Sequence, residues 1–177
     1  KTGAGYRIFS QPVKELEALR SAAKKIEKAD IAASLDLTQQ LGFSPSQSEL
    51  VLDFETGDAA ANFGVELSNR KGEKYRIGYD AATNQFYSDR TQSGNLSFSK
   101  KFGPKIHTAP RASKDKTIRF HLFFDVASAE LFADDGTTVL TDIFFPGEDF
   151  NQVKIYASKG KVKVLNGDAY SLKSIWK

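Results

Sequence analysis

From Ser48 onward the chain obeys a period of two, and that pattern limits its fold more than any other feature. SELVLDFE (48–55) puts Leu50, Leu52 and Phe54 on one side and Glu49, Asp53 and Glu55 on the other. The same alternation runs through NFGVELS (62–68), KYRIGYD (74–80) and TIRFHLFFDV (117–126). QFYSD (85–89), SAELFA (128–133), TVLTDIFF (138–145), QVKIYAS (152–158) and KVKVLNGDAYSLKSIW (161–176) complete the set. Alternation of this kind gives each strand one dry and one wet face, as antiparallel sheets allow. About ten short strands joined by hairpin-length connections predict an all-β fold. The expected form is a two-layer antiparallel β-sandwich of jelly-roll or concanavalin-like type. Fourteen Phe and six Tyr against one Trp agree, since aromatic rings suit a pleated, half-buried surface.

The first residues follow a different rule. SQPVKELEALRSAAKKIEK (10–28) is the only good helical pattern, with Val13, Leu16 and Leu19 at helical spacing and Pro12 suited to a first turn. It predicts a short N-terminal helix that frays after Arg20. Residues 1–28 are therefore expected to form a linker with that helix, and residues 29–177 the sandwich. ADIAASLDLTQQLGFSPSQ (29–47) reads as irregular. The chain has no Met and opens on KTGAGYRIF, so a piece of a longer protein is expected.

Composition narrows the chemistry. Without Cys there is no disulfide framework, thiolate nucleophile or zinc-thiolate site. A net charge of +3 demands no polyanionic partner, and the lysine-rich KGKVKV (159–164) reads as a solvated sheet face or a protected edge. No nucleic acid is expected as a partner. The apolar run FHLFF (120–124) is far too short to span a bilayer as a helix. His107 and His121 stand apart, and His121 is expected to face solvent. HExxH, phosphate-loop and GxSxG signatures are absent, and no cofactor or metal is expected.

Five carboxylates fall within FDVASAELFADDGTTVLTD (124–142): Asp125, Glu130, Asp134, Asp135 and Asp142. Asp134, Asp135 and Gly136 lie between two alternating runs and read as a hairpin turn. An EF-hand loop needs acids at alternate positions and a later Glu, and neither is present. A calcium site built mainly from carbonyls is an alternative. So is a glycosidase-type acid pair of Asp125 and Glu130, which would need a bulge near Ser128 to bring both to one face.

GYDAATNQFYSDRTQSG (78–94) gathers Asp80, Asn84, Asp89, Arg90, Ser93 and Gly94 around one hairpin, with Tyr79 and Tyr87 nearby. Carboxylates and guanidinium groups beside an aromatic ring suit a sugar, which offers paired hydroxyls and an apolar face. The alternative is a local Asp89–Arg90 ion pair followed by a Ser93–Gly94 turn.

YRIFSQPVKELEALR (6–20) resembles the segment that joins a five-bladed β-propeller to a C-terminal sandwich in glycoside hydrolase family 32, the levanases, inulinases and invertases. FGVELSN (63–69), YRIGYD (75–80), FYSDRTQSGN (86–95), HTAP (107–110), FFDVASAELFADDGTTVLTDIFFP (123–146) and SLKSIW (171–176) are similar to successive parts of that sandwich. The resemblance implies that catalysis resides in the propeller, on a WMNDPNG-like motif, an RDP motif and an EC motif, none of which occurs here. It implies a non-catalytic module that packs on its own upstream propeller, in an extracellular or periplasmic enzyme acting on fructan such as levan or inulin. A sugar-binding module and a homodimerisation domain are the alternatives. Many relatives carry Asp-Arg-Ser-Ser-Val-Glu where this chain has Asp125-Val126-Ala127-Ser128-Ala129-Glu130, so the Arg is missing. Asp125, Ser128, Glu130, Asp134 and Gly136 are the candidate hairpin or interdomain residues.

Overall fold

The computed structural model describes residues 6, 8–103 and 105–175. Arg7 and Trp176, on which two of the expected segments end or run, lie outside the described residues. Among the described residues thirteen strands form in chain order: β1 (Lys24–Ile26), β2 (Ala29–Ile31), β3 (Ser34–Asp36), β4 (Ser48–Glu55), β5 (Asn62–Ser68), β6 (Lys74–Asp80) and β7 (Gln85–Gln92), then β8 (Ile106–Pro110), β9 (Thr117–Asp125), β10 (Ser128–Ala133), β11 (Thr138–Ile143), β12 (Gln152–Ser158) and β13 (Val162–Ser171). The first sheet runs β1-β13-β4-β9-β10-β11, with β2 also paired to β13. The second runs β3-β12-β5-β6-β7-β8, and every pairing is antiparallel.

The inner faces are those that the period-two pattern predicts. Leu50, Leu52 and Phe54 of β4 and Phe120 and Leu122 of β9 face Phe63, Val65 and Leu67 of β5 across the sandwich, all fully buried. Phe120 is the hub, 5.1 Å from Phe54 and 5.8 Å from Phe86, centroid to centroid. Each such ring adds roughly 1.5–3 kcal/mol by leaving water, and the edge-to-face angles add a favourable quadrupole contact.

The N-terminal expectations hold for a short helix that ends before Arg20 and need correction beyond it. Helical structure over 10–28 is confined to a 3₁₀ turn at Lys14–Leu19 with no buried residue. Arg20 already has extended backbone, because its main chain bridges to Leu172 and its side chain is held by Glu49. Lys24–Ile26 then joins β13 as an edge strand, where a ladder of backbone bonds outweighs a modest helix propensity. Residues 29–47 are not irregular: β2 and β3 pair with β13 and β12, and a short helix α1 (Thr38–Leu41) buries Leu41. β8 also escapes the period-two reading, since it is an exposed edge strand with a Pro at its end.

Candidate functional site

Two outer faces carry the chemistry, one on each sheet. Antiparallel register sets both. On the first sheet, Glu49 of β4 lies opposite Tyr170 and Phe123, and Phe123 lies opposite Glu130. One step along, His121 of β9 lies between Val51 and Phe132.

The segment before β1 crosses this face as a strap fixed at two points. At one end the Ser10 amide donates to the Gly136 carbonyl at 3.1 Å. A Cβ at Gly136 would lie 1.9 Å from the Ser10 oxygen, and the residue has φ of +83°, so the contact requires glycine. At the other end Arg20 grips Glu49 with both arms, Nε to Oε2 at 2.7 Å and Nη2 to Oε1 at 2.6 Å. His121 Nε2 meets the same carboxylate at 2.5 Å, and the guanidinium stacks 4.8 Å over Tyr170. Burial alone would push the Glu49 carboxyl up, yet the hydrogen bonds from His121 and Arg20 outweigh it and hold its pKa below the ordinary range. The carboxylate is thus an ionised anchor with no exposure of its own.

Between strap and sheet lies a groove of about 560 Å³ lined by Val13, Leu16, Leu19, Phe123, Phe132 and Ile175. Asp125, Ser128 and Glu130 line the same groove. No bulge brings them there. The two-residue turn Val126–Ala127 restarts the alternation, so Asp125 pairs with Ser128 and both share a face with Glu130. Asp134 does not join them. It is buried, gripped by Arg111 Nε at 2.6 Å and by the Arg119 amide at 3.1 Å. Asp134, Asp135 and Gly136 all have positive φ, so the turn chemistry is as expected. Asp142 points inward, ion-paired to Arg90 at 2.7 Å and accepting from Ser88. Among the described residues no group of His and acids is placed to hold a metal ion.

On the second sheet the expected sugar cluster divides. Asp89 and Arg90 are neighbours in an extended strand, and so are Tyr79 and Asp80, so each pair points to opposite faces. Tyr79, Arg90 and Ser93 turn inward and are buried: Tyr79 donates to Asn84, Arg90 pairs with Asp142, and Ser93 donates to the Arg90 carbonyl. Asp80 and Asp89 face outward onto a groove of about 350 Å³ with Asn62, Arg76 and Tyr87. Tyr87 and Tyr156 lie across a gap made by Gly64 and Gly78, their hydroxyls bonded to each other. A Cβ on Gly78 would meet the Tyr156 hydroxyl at 2.7 Å and the Tyr87 Cζ at 2.8 Å. Burial pushes the Tyr87 phenol up to about 12 against the opposing effect of its bond to Tyr156, so it is neutral at physiological pH.

Arg20, Glu49, His121 and Arg76 were not legible as site residues, whereas Tyr87 was expected beside the cluster. His121 does face away from the core, but the strap covers that face, so it binds Glu49 instead of facing solvent. The available signals were Glu49 and His121 at polar positions of adjacent apolar strands and two glycines inside strands, which often mark close approach.

The family description "Glycosyl hydrolases family 32 C terminal" matches residues 15–171. The chain belongs to that family. It is 32% identical to a levanase of Bacillus subtilis over 97% of its own length, and 30% identical to an extracellular exo-inulinase of Aspergillus awamori over 71%. It spans only about a quarter of the length of either relative, 25% and 24%. The fold superposes on the crystal structure of the Aspergillus awamori exo-inulinase with a TM-score of 0.84 at 23% identity, covering 99% of this chain and 34% of that one. The matched family is a C-terminal domain of larger enzymes. No described helix is long and apolar enough to cross a membrane.

Proposed function

We propose that the chain is the non-catalytic C-terminal module of a fructan-hydrolysing enzyme and docks on an upstream β-propeller through the outer face of its first sheet. The observation that carries this reading is the strap. Residues 10–20 are tied down at Ser10 and Arg20, so whatever precedes them is delivered to one place on one face. That face is apolar where a soluble sheet is normally polar: Phe123, Phe132 and Val139 stand on it, and Val13 of the strap is 62% exposed. A patch of this kind marks an interaction surface. Asp125, Ser128 and Glu130 form its polar rim and would meet polar groups of the propeller, as rims of interdomain contacts do. Fixing the approach lowers the ordering cost of the contact.

The names of the relatives, levanase and extracellular exo-inulinase, supply the substrate class and an address outside the cytoplasm, where polymeric fructan is met. The test mixes this chain with a separately produced propeller domain and follows association by sedimentation and thermal stability. Association is expected, and Phe132→Asp, which puts a charge into the apolar face, abolishes it. Failure to associate at high concentration, or equal association by the Phe132→Asp chain, refutes the docking face. The same sedimentation run detects self-association of the chain as the competing use of this face.

A further inference from the structure

The outer face of the second sheet has no part in that docking, and its polar groups are arranged in rows. Asn62, Asp80 and Gln85 form one row across β5, β6 and β7, the Gly64–Gly78–Tyr87 row follows, and then comes Glu66, Arg76 and Asp89. The 350 Å³ groove lies along β6 and β7 over these rows. It continues past Arg76 and Asp89 into a smaller recess of about 70 Å³ beside Lys74 and Gln92. From Asp80 to Lys74 the track runs the length of β6, roughly 20 Å at the rise of an extended strand.

We infer that this track is a binding site for a linear, neutral oligosaccharide. Arg76 spends its Nε on Glu66, and among the described residues both terminal nitrogens of its guanidinium are unengaged by hydrogen bonds. Asp89 accepts from Thr91 with Oδ1, which leaves Oδ2 open. Donor and acceptor thus stand side by side in one row, the pairing that vicinal hydroxyls satisfy. Gln85 adds an amide unengaged among the described residues at one end, and Thr108 a hydroxyl on the far wall. Tyr87 lies down over Gly78 with its hydroxyl spent on Asn62 and Tyr156, so its ring is held flat by bonds that a ligand does not disturb. Such a ring covers the apolar face of a sugar.

Charge selects against ionic ligands. Arg76 and Lys154 face Glu66, Asp80 and Asp89, so neither an anion nor a cation finds a field of one sign. The track is longer than one sugar ring, so affinity should rise with chain length. The identity of the sugar rests on the function proposed above, which makes fructosyl chains the first ligand to try.

The experiment is a titration of the isotope-labelled chain with inulin-type and levan-type oligosaccharides, with fructose and maltooligosaccharides as comparisons, followed by backbone amide shifts. Perturbations are expected on β6, β7 and β8, stronger with oligomer than with fructose. Asp89→Ala and Gln85→Ala, each of which removes one hydrogen-bonding group, weaken binding roughly five- to ten-fold, while Lys163→Ala on the first sheet leaves it unchanged. No shift at about 10 mM sugar, or shifts confined to another surface, overturns the site. If the chain docks on the propeller yet shows no shifts here, the track is refuted and the module reading stands. If it binds maltooligosaccharides but no fructosyl chain, the track stands and the fructan reading fails.

Discussion

Arg20→Ala tests whether the strap is fastened by chemistry or merely lies on the sheet. Arg20 gives Glu49 two charge-assisted hydrogen bonds at 2.7 and 2.6 Å, and Glu49 has no exposed surface. Removing one partner of a buried pair costs about 3–5 kcal/mol, because the remaining charge is left desolvated. Two features reduce that figure here. A quarter of the Arg20 side chain is already in solvent, at 24% exposure, and His121 continues to serve the carboxylate. The expected loss is therefore about 2–3 kcal/mol, or roughly 4–12 °C in melting temperature for a chain of this size. Urea denaturation followed by far-ultraviolet circular dichroism measures it, and a cycle with Glu49→Gln isolates the pair. A coupling near 2 kcal/mol is expected, since the two residues touch. Trypsin should also cut at Lys14 faster once the strap is released. If Arg20→Ala falls within about 0.5 kcal/mol of the parent, or the cycle shows no coupling, the anchor does not exist and the docking argument loses its premise.

Acid should weaken the fold in a defined window. Burial would raise the carboxyl pKa values of Glu49 and Glu66, but His121 and Arg20 in one case, and Lys154 and Arg76 in the other, hold them below the ordinary value of 4.5. A pKa lower in the folded than in the unfolded chain gives stability that is complete above pH 4.5 and lost as pH falls further. The urea midpoint should therefore be flat from pH 7 to 5.5 and drop below 4.5, with a smaller drop in Arg20→Ala. Gly64→Ala should destabilise by roughly 2–3 kcal/mol, because the added Cβ would lie 2.1 Å from the Ile77 carbonyl oxygen on the neighbouring strand. A two-state melt within half a kilocalorie of the parent would show that β5 and β6 give way there.

The family resemblance was legible because it rests on strings of residues such as YRIGYD (75–80) and FFDVASAELFADDG (123–136), and strings are what a sequence contains. The sugar cluster was legible only in part for a related reason. Asp89 and Arg90 are adjacent in the string, and adjacency in a strand means opposite faces. Tyr79, Arg90 and Ser93 spend their polar groups on the inner side of β6 and β7, whereas Asp89 meets Arg76 on the outer side.

By itself the sequence determined the layered architecture and which residues of its alternating strands fill the core, because a strand's two faces are set by its own alternation. Leu50, Phe63, Phe120 and Val153 could each be assigned to the interior without knowing any neighbour. Only the tertiary structure decided what stands beside what on the outer faces. Arg20 and Glu49 are 29 residues apart, Glu49 and His121 are 72, and Tyr87 and Tyr156 are 69. Those meetings depend on strand order and register, and a slip of one residue would send every one of those side chains to the other face. The edge pairing of β1 was settled the same way, since a segment with helical spacing became a strand when β13 offered it a ladder of hydrogen bonds.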